Sequence, residues 1–184
     1  MGRVVTPHLV AEPVFALLAA LFVVGCASDL KRTETGFRNP RHGYSIGVPD
    51  RAAGAPWERI EIKGAWVAFR RPGPETMSLQ SRCGKPVAHP AIMARNLVVG
   101  IGERELVQAG PVIVAGTNAW IQTFDTRPGD ATIRVTTVTA VIDDCAFDWT
   151  LVTLGESPSA NHAFEAWWGT FALDPDPIAD GTPR

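Results

Sequence analysis

The sequence predicts an α+β domain, an antiparallel β-sheet laid down as a meander and flanked by two helices. Three observations carry this. Apolar residues alternate with polar ones from Met77 to Cys83 and again from Cys145 to Leu151, the period-two signature of half-buried strands. Strand-like runs follow one another across short turns such as Asp143-Asp144 and Arg127-Pro128-Gly129-Asp130, which implies antiparallel pairing. Helical periodicity occurs only after Pro90 and after Ser157, apart from the strands, which favours α+β over a doubly wound α/β sheet.

The chain opens with Arg3 and an apolar run of eleven residues, Val14 to Val24. A bilayer-spanning helix needs about 20 residues, so this run reads as the core of a secretory signal. It ends in Val23-Val24-Gly25-Cys26, which resembles a bacterial lipobox. The resemblance implies removal of residues 1–25 and diacylation of Cys26; each buried CH₂ then adds about 0.8 kcal/mol, so two or three chains anchor firmly. Ala27 follows where sorting to the inner membrane would need Asp, which favours the outer membrane. Met1-Gly2-Arg3-Val4-Val5-Thr6 also matches an N-myristoylation pattern, but that reading leaves the apolar run unexplained.

Residues 26–40 are mostly polar and read as a lipidated tether, and residues 174–184, rich in Pro and Asp, as a disordered tail. Between them, 41–173 reads as one domain. Tyr44, Ile46 and Val48 alternate before Pro49 in a first strand. Ala65 to Arg70 and Met77 to Cys83 are strands separated by Pro72-Gly73-Pro74. Pro90 starts a helix carrying Met93, Leu97 and Ile101 at helical spacing, with Gly102 as its stop. Leu106 to Ala115 is a strand in which Gly110-Pro111 marks a bulge or an edge position. Ala119 to Asp125, Thr132 to Ile142 and Cys145 to Leu154 complete the meander. Ser157 caps a closing helix with Pro158 at its first position, and Phe164, Trp167, Trp168 and Phe171 form its apolar stripe.

Composition is that of a globular protein, with 46% hydrophobic and 20% charged residues. A net charge of −2 gives no electrostatic footprint for nucleic acid. Six tryptophans against one tyrosine assign much of the core to large apolar rings.

The first strand Gly43-Tyr44-Ser45-Ile46-Gly47-Val48-Pro49 and the closing helix around Trp167, Trp168 and Phe171 resemble the fold shared by PsbP, Mog1 and DcrB-type bacterial lipoproteins. Ser81-Arg82-Cys83 and the hairpin from Asp144 to Asp148 are similar to segments of bacterial lipoproteins of uncharacterised function. The likeness spans roughly residues 40–173. It implies an assembly factor, accessory subunit or binding adaptor acting on an envelope protein partner, without enzyme activity and without a cofactor.

Catalytic and metal signals are thin. Gly43-Tyr44-Ser45-Ile46-Gly47 is a literal G-x-S-x-G, for which Asp143 and His162 would be the partners. That motif needs the serine on a strained strand-to-helix turn, whereas Ser45 lies inside a strand and Pro49 follows. His42, His89 and His162 show no metal-ligand spacing to another His or Cys, and His89 reads as a helix-start residue. Asp143-Asp144 is ordinary turn chemistry. The expectation is a non-catalytic binding protein; the alternative is a small-molecule binder or minor serine hydrolase using a pocket between sheet and helix.

Cys83 and Cys145 remain once Cys26 is given to the lipid. Each holds the apolar parity of its strand, so if the strands share a face both side chains enter one core. In an oxidising compartment this favours a disulfide, with two buried free thiols as the other possibility.

Overall fold

The computed structural model describes residues 30–49, 56–84 and 88–174. The signal segment 1–25, Cys26, the myristoylation pattern and residues 175–184 of the tail lie outside them.

The core is built on a seven-stranded antiparallel sheet: β4 (Glu58–Ile60), β5 (Val67–Arg71), β6 (Glu75–Cys83), β7 (Arg104–Val114), β8 (Thr117–Thr126), β9 (Ile133–Ile142) and β10 (Cys145–Leu154). Their spatial order is β4-β5-β6-β10-β9-β8-β7. The predicted meander is thus β7 to β10, and it closes by setting β10 against β6. In that pairing Leu151, Trp149, Phe147 and Cys145 stand opposite Met77, Leu79, Ser81 and Cys83. One shared face therefore carries both apolar sets, as the parity of the two strands predicts.

Helix α2 (Pro158–Trp168) covers that face. Phe164, Trp167 and Phe171 are buried and Trp168 lies at the margin, the 100° offset between adjacent helical residues having turned it aside. Phe171 follows the helix and sits among Tyr44, Phe147 and Trp149 with ring centroids 5.4, 4.9 and 5.0 Å away. Ser157 does not cap α2 through its side chain; its hydroxyl donates to Glu75 Oε1 at 2.6 Å instead.

A second, four-stranded sheet was not expected. It runs β1-β2-β3-β11, from β1 (Lys31–Arg32), β2 (Gly36–Asn39), β3 (Tyr44–Gly47) and β11 (Ala172–Leu173). The sequence reading placed residues 26–40 in the tether, but β2 buries Phe37 against Phe69 (centroids 5.9 Å) and Asn39 beneath the Tyr44 hydroxyl. Packing at long range, invisible in a polar local sequence, makes residues 30–40 part of the domain. The sheet is tied to α2 by Trp167 Nε1 donating to the Gly47 carbonyl (2.9 Å), and to the turn after α2 by the Gly47 amide donating to Thr170 Oγ1 (2.8 Å). Asp174, assigned to the tail, accepts from Arg38 at 2.9 Å.

The opposite face of the large sheet is covered in part by α1 (Pro90–Leu97). This helix ends a turn before the expected stop at Gly102: Val98 is its C-cap and Gly100 adopts φ 96°. Ala94 is its buried residue, and the C-cap Val98 packs with Phe124 and Val135. His89 opens it, its Nδ1 accepting from the Ala91 amide.

Candidate functional site

The open side of α1 leaves a cleft, and the path of β7 makes it. The strand is at the sheet edge, as Gly110-Pro111 suggested, but its bulge lies earlier, between Leu106 and Gln108. The extra residue, Val107, resets the side-chain parity. Leu106 pairs with Phe124, Ala109 with Gln122 and Pro111 with Trp120, so the residues on both sides of the bulge share the α1 side of the sheet. The cleft between α1 and the β7–β8 hairpin has a volume of about 310 Å³, within the range of small-ligand sites. Val98, Leu106, Ala109, Trp120 and Phe124 make it apolar; Arg95, Arg104 and Gln122 supply polar groups.

Two of those polar groups hold the cleft open. Gln122, buried, donates from Nε2 to the Ala94 carbonyl at 2.7 Å and fixes α1 to β8. Arg104 donates from Nη1 to the carbonyls of Val98 (2.9 Å), the C-cap of α1, and Ile101 (3.0 Å), pinning the turn that follows the helix. Arg95, in the last turn of α1, is exposed and makes no ion pair among the described residues. Beside the cleft the edge strand shows large apolar side chains to solvent, Leu106 at 65% and Ile113 at 58% exposure.

The residues nominated for catalysis do not gather there. Ser45 is in the middle of β3, opposite Arg38 on one side and Ala172 on the other, so it occupies no strand-to-helix turn. Asp143 sits in the β9–β10 turn at φ 53° and His162 on α2. The G-x-S-x-G match is a pairing segment of the small sheet.

Cys83 and Cys145 are joined in a disulfide. His42 stands beside them, with its ring edge-on to Trp66 at 5.2 Å and its ligand nitrogen within 4.8 Å of the sulfurs. No sequence spacing signals this convergence, because the three residues come from the β2–β3 connection, β6 and β10. The sulfurs are committed to one another.

Two ionic groups are structural. Arg71, 7% exposed, lies over Trp57 (5.0 Å), pairs with Glu75 and donates to Ser159 Oγ at 2.7 Å near the start of α2. Burial alone would raise the Glu75 carboxyl, but hydrogen bonds from Arg71 and Ser157 and the Arg71 charge outweigh it and hold it below its ordinary range. Asp148 is buried on β10, accepting from Thr139 and Arg82, both at 2.8 Å. Desolvation dominates there and pushes its carboxyl above the usual range.

Cyanobacterial PsbP (CyanoP) from Synechocystis sp. PCC 6803 matches with a TM-score of 0.54 at 15% identity, over 72% of this chain and 88% of that one. The fold is PsbP-like. A protein from Bacteroides thetaiotaomicron matches at 0.52 with 11% identity, over 77% of this chain but 47% of that one, so the chain spans about half of that protein. The Ran-binding protein Mog1p of Saccharomyces cerevisiae aligns at 0.49 and 11% identity, over 71% and 90% of the two chains. No protein-family model matches the sequence, and no curated protein matches it. At such identities the PsbP-like likeness speaks for the fold.

Proposed function

We propose that this PsbP-like domain is a non-catalytic accessory module of the bacterial envelope. A lipid on Cys26 holds it at the membrane, with the outer membrane favoured, and the α1–β7 side meets a protein partner. One observation carries the reading: the face under α2 is filled with interlocked aromatic rings, while the other face ends in an open apolar cleft bordered by exposed Leu106, Val107 and Ile113. Apolar side chains concentrated on one exposed border mark a contact surface rather than a reaction centre. Among the described residues no helix is long and apolar enough to cross a membrane, so within them membrane residence by a helix has no support, and a lipid on Cys26 would supply it.

The test uses cells expressing the full chain with a photoreactive side chain at Leu106 or, as control, at Arg59 on β4. A discrete protein adduct at Leu106 and none at Arg59 is expected; equal labelling, or none, removes the docking surface. Replacing Cys26 by Ser should release the protein from the membrane fraction, and retention there would remove the anchor. The volume of the cleft favours a second reading, a small-molecule site.

A further inference from the structure

We infer that the α1–β7–β8 cleft takes a short single-chain anionic amphiphile, its apolar body between Trp120, Phe124 and Leu106 and its carboxylate or phosphate at Arg95 and Arg104. This rests on the cleft being a binding site and adds what fits inside it.

The edge strand itself does not invite an added strand. Pro111 offers no N–H to a new ladder, and the bulge at Val107 breaks the register beside it. The occupant is therefore a compact group received by side chains, not an extended segment received by backbone. The cleft volume, about 310 Å³, lies at the lower end of small-ligand sites, so the apolar body is short.

Polarity sets the other end. Gln122 is already engaged with the Ala94 carbonyl, so the charged groups left in the lining are the two guanidiniums. Arg104 places one nitrogen on the Val98 and Ile101 carbonyls, and a guanidinium has five N–H donors, leaving others for an anion. Arg95 has no carboxylate within ion-pair distance among the described residues. Among the described residues no acidic side chain lines the cleft. Two arginines beside an apolar slot complement one negative head on one chain, and an uncharged amphiphile would leave them unmatched.

The experiment uses the exported chain carrying Cys26→Ser, so that its own lipid does not compete, and calorimetry with octanoate, octyl phosphate and octyl glucoside below their micellar concentrations. The two anions should bind with a stoichiometry of one, at least about tenfold tighter than the glucoside, the range of a charged hydrogen bond. Shortening octanoate should weaken binding by about fourfold per CH₂. Arg95→Gln should lower the preference for anions, and Ala109→Leu, which fills the slot, should weaken all three probes. Equal binding of the glucoside, a preference unchanged by Arg95→Gln, stoichiometry well above one, or no binding overturns the inference. Binding to phosphatidylglycerol vesicles without binding of monomeric octanoate would assign the cleft to the membrane surface and equally overturn it. A protein adduct at Leu106 with no amphiphile bound would leave the docking surface standing and remove only the ligand.

Discussion

Cys83 and Cys145 stand directly opposite one another on β6 and β10, with Cα atoms 4.0 Å apart, and are bonded. The bond lies where the meander returns to the β5–β6 hairpin, the pairing with the greatest loop to close in the seven-stranded sheet. Its sequence separation is 62 residues, for which the chain-entropy treatment gives about 4 kcal/mol, an upper figure for most real disulfides. Reduction should therefore lower the melting midpoint by several degrees, and alkylation of the unreduced exported protein should label neither cysteine. A midpoint unmoved by reductant would show that the β6–β10 ladder suffices alone.

Phe171 closes the aromatic cluster against Tyr44, Phe147 and Trp149. Phe171→Ala should destabilise the domain by about 3–5 kcal/mol, as large-to-small changes at buried aromatic sites do. Trp168→Ala, at the margin of the same face, should have a smaller effect. Denaturant titration of both variants checks the order, and an equal loss would contradict the burial difference.

Glu75 gives the domain a dependence on pH whose sign is fixed by its environment. Its carboxyl is held below the ordinary range, so its contribution is full above about pH 4.5 and is lost as pH falls through the lowered value. Glu75→Gln removes a counter-charge from the buried Arg71 and should weaken the domain by about 3 kcal/mol at neutral pH, the low end for breaking a buried pair. That difference should shrink as the pH is lowered below 4, where the unaltered protein loses the same charge. A difference constant from pH 7 to pH 3 would show that the pair does not titrate. Asp148 acts in the opposite sense: its carboxyl is raised, so its contribution is present at acid pH and declines as pH rises through the raised value.

Ser45 pairs with Arg38 and Ala172 inside the small sheet. Covalent serine probes should not label the protein, and Ser45→Ala should leave any background ester turnover unchanged. Labelling at Ser45 would require a β3 other than the one described.

Legibility followed the range of the forces involved. β10 was readable to its ends, Cys145 and Leu154, because period-two alternation and the Asp143-Asp144 turn are local signals. The closing helix was readable for the same reason, down to the marginal position of Trp168. The end of α1 was not: Ile101 continues the apolar spacing, yet Gly100 turns left-handed and Ile101 joins the Phe124 cluster from outside the helix. Nor was the cleft, because it depends on the pairing of Leu106 and Ala109 with β8 on either side of Val107, and a bulge leaves no composition signal at that position. Ser157 had the sequence of a cap and went to Glu75, a partner brought near only by the fold.

The widest miss, the part of the expected tether that forms β1 and β2, yields the sharpest test. Gly36 faces Gly47 across the β2–β3 pair, and a Cβ at residue 36 would come within 2.1 Å of the Ile46 carbonyl oxygen. That atom belongs to the backbone of a paired strand and has no rotamer to escape into, so relief requires β2 to separate from β3. Separation would uncover Phe37 from Phe69 and Asn39 from the Tyr44 hydroxyl. If residues 26–40 were only a tether, Gly36→Ala would be neutral or slightly stabilising, since alanine restricts the unfolded chain more than glycine does. The structure instead requires a loss of stability, about 1–3 kcal/mol as for other overpacked sites, with faster amide exchange in β2 and β3. Hydrogen exchange of the two proteins, followed at Phe37 and Ile46, decides between the two: unchanged protection would return the segment to the tether.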